Sequence, residues 1–119
     1  MSARGSSRER QVVRLLESEG WVCFRAPGSF GVADVVAMSA GPFLYRPSSP
    51  DKPQVAVPSA EVMLVEVKTT ARNPWNDFGP AKRRTLLEAA ARAGASAWVF
   101  WWPMGGELER IPSSQWPAS

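Results

Sequence analysis

Histidine is absent from this sequence, and cysteine occurs once, at Cys23. Without histidine there is no Ser-His-Asp or Cys-His catalysis, and no histidine-based nuclease site. One cysteine and no histidine leave nothing to hold a structural zinc. Any metal must be bound by oxygen, which points to Mg²⁺, Mn²⁺ or Ca²⁺. A single cysteine also excludes an internal disulfide and fits a reducing cytoplasm. Cys23 lies among apolar residues of a short strand, so a buried structural thiol is expected. No run of about 20 apolar residues exists, so no membrane-spanning helix is expected. The first ten residues lack an apolar core, so no secretory signal is expected. A cytoplasmic protein is the expectation, or one in the host cytoplasm if phage-encoded. Neither Gly-x-x-x-x-Gly-Lys-Ser/Thr nor Gly-x-Gly-x-x-Gly occurs, so no nucleotide cofactor is expected.

What is present is the composition of a globular chain: 119 residues, 45% hydrophobic and 21% charged. That is enough for a single domain, 1–119, around one modest core. Net charge is +3, and eleven of the fourteen cationic residues are arginine. Arginine suits bidentate phosphate contact. The excess permits nucleic-acid binding without demanding it.

The chain is organised around Val62–Thr70, Val-Met-Leu-Val-Glu-Val-Lys-Thr-Thr. β-Branched and apolar residues without Gly or Pro make it a strand. Met63, Val65 and Val67 then share one face, and Leu64, Glu66 and Lys68 the other. A carboxylate and an ammonium thus sit side by side on an apolar element, where charge is costly unless paired or bound to metal. An exposed, solvated Glu66–Lys68 pair is the plain alternative.

Before this strand, Arg8 to Glu19 reads as a helix capped by Ser6 or Ser7 and closed by Gly20. Glu9 shares its stripe with Val12, Val13 and Leu16. Either it serves a site, or it complements the helix dipole from the first turn. Arg4 and Arg8, around Gly5-Ser6-Ser7, either grip phosphate or belong to a frayed terminus. Trp21–Arg25 is a short strand, 26–31 a turn-rich loop, and Asp34–Met38 the next strand. Asp34 opens a strand whose natural hairpin partner carries Glu66. Neighbouring strands lie about 4.8 Å apart, so both carboxylates can share a metal. Residues 39–60 form a Pro-rich insertion with five prolines. It is too long for an ordinary hairpin turn and reads as a mobile flap, an elongated hairpin arm or disorder.

After Thr70, a loop with Trp75 and Phe78 leads to a helix opened by Pro80 and ended by Gly94. Lys82-Arg83-Arg84 in its first turn opposes the helix dipole, which an anionic partner would explain. A solvated charge cluster is the alternative. Ala97–Trp102 is a strand with aromatic residues on both faces, compatible with a subunit interface. Gly105-Gly106 turns the chain into Glu107–Ile111.

Glu9, Asp34, Glu66 and Lys68 form a constellation suited to metal-assisted phosphodiester hydrolysis. Asp34 and Glu66 would hold Mg²⁺ (Mn²⁺ able to substitute), with the Val67 carbonyl as a further oxygen and Glu9 completing or orienting the shell. Lys68 would orient water or stabilise developing negative charge.

The arrangement resembles the PD-(D/E)xK nuclease superfamily, and within it the archaeal-type Holliday-junction resolvases. The blocks that carry this are Gly5-Ser6-x-x-Glu9-Arg10, Gly20-Trp21-x-x-x-Arg25, Gly28-Ser29-x-x-x-Asp34-Val35-Val36-Ala37 and Glu66-Val67-Lys68-Thr69. The resemblance implies an α/β fold, a restriction-endonuclease-like central mixed sheet flanked by helices. It implies that Glu9, Asp34, Glu66 and Lys68 are catalytic, and that Arg10, Arg25 and Ser29 contact the DNA backbone or support the site. It implies a Mg²⁺-dependent homodimer that nicks four-way DNA junctions in recombination and repair. With Arg4, Lys82 and Arg83 the expected DNA-contacting set is complete. Two departures stand out: the acidic strands are separated by the 39–60 insertion, and Ala33 rather than Pro precedes Asp34. Alternatives are another endonuclease of the superfamily, restriction-like or flap-cutting, a DNA-binding module without catalysis, and a plain interaction domain.

Overall fold

The structure, a computed structural model, describes residues 3–26, 33–45, 51 and 55–118, with side chains for 7–26, 33–39, 51 and 61–118. Helix α1 (Ala3–Ser18) is followed by strands β1 (Val22–Arg25), β2 (Val35–Tyr45) and β3 (Val55–Thr70). Helix α2 (Pro80–Ala93) then leads to β4 (Ser96–Pro103) and β5 (Glu109–Pro112). The five strands make one sheet in chain order. All neighbours are antiparallel except β3 and β4, which run parallel. A parallel pair needs a crossover, and α2 supplies it. This is the mixed α/β sheet expected from the sequence.

Both faces of the sheet are covered. On one, Val12 and Leu16 of α1 bury against Val35, Ala37, Met63, Val65 and Phe100. On the other, Leu86 and Ala90 of α2 bury against Leu64, Ala97, Val99 and Phe78. The alternation of β3 thus falls as its sequence requires: odd positions toward α1, even positions toward α2. Burying each of these larger side chains contributes about 1.5–3 kcal/mol.

The helix ends follow local chemistry. Gly20, with φ 99°, ends α1, and the Trp21 N–H returns to the Leu16 carbonyl at 3.0 Å. Gly94, with φ 65°, ends α2, and the Ala95 N–H reaches the Ala90 carbonyl at 2.8 Å. A left-handed residue at this point costs glycine little and satisfies the last carbonyls.

Two expectations change, on the start of α1 and on Cys23, and one open choice, the insertion, narrows. Helix α1 begins at Ala3, so Glu9 sits beyond its first turn and cannot owe its place to the helix dipole. Strands β2 and β3 extend into the Pro-rich insertion, pairing from Ser39↔Glu61 out to Tyr45↔Val55. The elongated hairpin arm is therefore the reading that fits 39–45 and 55–60; 46–50 and 52–54 lie outside the described residues. Cys23 is half-buried rather than fully buried. Of the aromatic residues on the two sides of β4, Phe100 packs under α1 and Trp101 under α2, while Trp98 and Trp102 stay partly exposed. Among the described residues no helix is long and apolar enough to cross a membrane.

Candidate active site

The antiparallel register Val35↔Val65 brings the start of β2 beside Glu66. Asp34 is fixed there by its backbone. Its N–H donates to the Val65 carbonyl at 2.9 Å, and its carbonyl accepts from the Ala26 N–H at 2.9 Å. Its side chain is fixed as well, since the Val67 N–H donates to Asp34 Oδ2 at 2.8 Å. One residue thus ties the ends of β1, β2 and β3 together and aims a carboxylate at its neighbour.

That neighbour is Glu66, whose carboxyl hydrogen-bonds that of Asp34. Burial, and then the adjacent Asp34 charge, push the Glu66 carboxyl up to about 8. Lys68 and Lys82 oppose the shift without cancelling it. Near neutrality Glu66 therefore retains its proton, because burial and the adjacent Asp34 charge both disfavour its ionised form. Lys68 Nζ lies 3.8 Å from Glu66 Oε1, and both side chains are largely buried, with 17% and 16% exposure. The solvated-pair reading of Glu66 and Lys68 is thereby excluded.

Glu9 is 7% exposed on α1 and is also raised, by burial first and then by Asp34. Arg25 Nη2 stands 3.3 Å from Glu9 Oε1 and opposes the shift. Asp34, at the start of β2, thus lies within electrostatic reach of both Glu9 on α1 and Glu66 on β3. Among the described residues no group of three acidic side chains is gathered tightly enough to enclose a metal unaided. The part that suits a hard divalent cation is the Asp34–Glu66 pair: two oxygen-donor side chains on adjacent strands whose mutual repulsion a cation would relieve. Arg25 holds Glu9 as a supporting group.

Beside Lys68 opens a cleft of about 530 Å³, lined also by Asn76, Asp77, Gly79, Pro80, Ala81 and Lys82. The start of α2 forms one wall, and Gly79 at its N-cap offers no side-chain cap. Exposed Lys82 is therefore on the rim of the cleft beside Lys68. Asn76 and Asp77 are not among the site residues expected from the sequence. The signal was available in Asn73, whose Oδ1 accepts the Trp75 N–H at 2.8 Å and turns the chain back toward Lys68.

The remaining expected contacts separate. Arg10 is exposed on α1, and Arg25 is committed to Glu9. Arg83 is 5% exposed; its Nη1 donates to the Phe78 carbonyl at 2.7 Å and its guanidinium lies 5.7 Å from the Trp75 ring centre. It is a corner post of the α2 start rather than the surface phosphate contact expected of it, because the helix turns position 83 inward and 82 outward. The α1 backbone includes Arg4, but its side chain, like all of Ser29, lies outside the described residues.

The archaeal Holliday junction resolvase (Hjc) family model matches residues 1–115. Among solved structures, the fold is similar to that of Archaeoglobus fulgidus Hjc, a Holliday junction resolvase from an archaeal hyperthermophile. The TM-score is 0.67 at 18% identity, covering 98% of this chain and 79% of that one. No curated protein sequence matches.

Proposed function

The chain belongs to the archaeal Holliday junction resolvase family, and from that membership we propose that it cuts four-way DNA junctions by Mg²⁺-dependent hydrolysis, as a homodimer that places paired nicks. A Holliday-junction-resolving nuclease is the function that family and fold support together. The observation that carries the chemistry is the partly buried Asp34–Glu66 pair with Lys68 3.8 Å from Glu66.

Asp34 and Glu66 would hold the cation, with the Val67 carbonyl as a further ligand. When bound, Mg²⁺ neutralises phosphate charge and lowers the pKa of a water molecule. Asp34 is oriented by the Val67 N–H, so its side chain needs little reorientation before binding. Lys68, mostly buried beside Glu66, stabilises negative charge that develops on the phosphate. Arg25 restrains Glu9, which orients the acidic cluster. Lys82 and Arg10 present exposed cations to the DNA backbone.

The test is a cleavage assay with a synthetic four-way junction, a matching duplex, a flap and a single strand, in Mg²⁺ and in EDTA. Symmetric nicking of the junction alone, only with Mg²⁺, is expected. Equal cutting of flap or duplex would keep the active site but discard junction selectivity. Tight junction binding without cutting would leave a DNA-binding module.

A further inference from the structure

The end of the sheet away from the catalytic carboxylates carries a second groove, of about 520 Å³. Its walls include Trp21, Met63, Ser96 and Trp98, and Glu61 stands on its rim. Five residues of β3 separate Glu61 from Glu66, about 17 Å along an extended strand. The groove is thus distinct from the acidic site.

Its walls are held in place. The Trp21 N–H bonds to Leu16 at 3.0 Å. The Trp98 indole N–H donates to Ser96 Oγ at 3.0 Å, and Ser96 Oγ in turn reaches the Val62 carbonyl at 3.4 Å. The polar edge of Trp98 is satisfied internally and the ring packs at 6.3 Å and 80° with Phe100, so the part of it that lines the groove is apolar indole surface.

Elsewhere three aromatic rings carry an arginine. Arg8 lies 4.7 Å from the Trp102 centre, Arg83 5.7 Å from Trp75 and Arg110 5.3 Å from Phe100. Among the described residues no cation is stacked on Trp21 or Trp98, and Glu61 joins no ion pair. Among the described residues no basic one lines the groove. Phosphate would meet a carboxylate here, so nucleic acid is the wrong ligand. A cation with a flat or apolar body meets indole walls and a free carboxylate together.

We infer that this groove is a docking site for an arginine side chain presented by a different protein. The partner is recognised by stacking against Trp21 and Trp98 with its guanidinium paired to Glu61. The site lies at the root of the β2–β3 arm, so a bound partner leaves the catalytic end of the sheet open to DNA.

The probe is N-acetyl-arginine amide, with N-acetyl-citrulline amide as its neutral isostere. The indole N–H resonances of the ¹⁵N-labelled full chain are followed, assigned through Trp21→Phe and Trp98→Phe. Saturable shifts confined to Trp21 and Trp98 are expected, weakened about fivefold or more by citrulline or by Glu61→Gln. Absent shifts, or equal shifts with both amides, would overturn the inference. Junction cleavage by Glu61→Gln is expected at the wild-type level, whatever the fate of the nuclease reading; its selective loss would assign the groove to DNA handling instead. Sedimentation of the protein with the probe is the last arm: dissociation of a dimer would make the occupant a second copy and overturn the assignment to another protein.

Discussion

Replacing Glu66 by Gln should make the metal-free protein more stable at pH 8 and leave it nearly unchanged at pH 4.5. The Glu66 carboxyl moves from an ordinary 4.5 to about 8 in the folded protein, chiefly through burial and the Asp34 charge. Below pH 4.5 both folded and unfolded chains keep the proton, and the group is neutral in the balance. As pH rises from 4.5 to 8, the unfolded chain releases its proton while the folded chain still holds it. Stability therefore falls across that window and levels off above it. A difference of about 3.5 pH units at about 1.4 kcal/mol each gives at most about 5 kcal/mol. A domain of this size has about 5–15 kcal/mol in total, so the loss is a large share. Glu66→Gln keeps the shape, cannot ionise, and removes this pH dependence. Urea unfolding in EDTA at pH 5, 6.5 and 8 reads it directly. The stability difference between variant and wild type should grow by a few kcal/mol from pH 5 to pH 8, a midpoint change of about 2 M at usual urea slopes. Millimolar Mg²⁺ at pH 8 should recover part of the loss in the wild type alone, by binding the folded state. A difference between the two proteins that stays constant with pH would refute the raised Glu66 carboxyl.

Other outcomes rest on the same geometry. Asp34→Asn should lower junction cleavage by a factor of at least about 10³ in a single-turnover assay, of the order seen when a transition-state contact is lost, while gel-shift affinity stays within a few fold. Lys82→Ala should weaken junction binding and reduce the slope of log affinity against log salt by about 1, with thermal stability unchanged. Arg83→Met should do the reverse: it leaves the Phe78 carbonyl without its buried donor, costing about 1–3 kcal/mol in urea unfolding, with the salt slope intact. Arg110→Ala removes the paired hydrogen bonds to Glu19 that join β5 to the end of α1, yet should cost less than about 1 kcal/mol, because both side chains are more than a third exposed.

The fold was legible wherever the local signal and the packing agree. Pro80 and Gly94 bracket α2 in the sequence and bound it in the structure, since proline and glycine act through their own backbone limits. The opposed faces of Met63–Lys68 were likewise readable, because strand alternation is a property of the backbone. The start of α1 was not, for the polar run 3–7 has no apolar period and becomes helix in continuity with the amphipathic turns from Arg8 to Ser18. Nor was the extent of β2 and β3, since prolines at 42 and 58 argue against strand when read singly; the register places them opposite one another.

By itself the sequence determined the chemistry available: no histidine, carboxylates at 9, 34 and 66, and a lysine two residues after the last. Spacing also determined that Glu66 and Lys68 share a face. Which charges matter was decided only by the tertiary structure. Burial turned Glu66 into a carboxyl that holds its proton near neutrality, Arg25 became the partner of Glu9 across sixteen residues, and a helix of fixed phase sent Lys82 outward and Arg83 inward. Composition sets what a side chain can do, while the dielectric and neighbours around it, fixed by contacts far along the chain, set what it does.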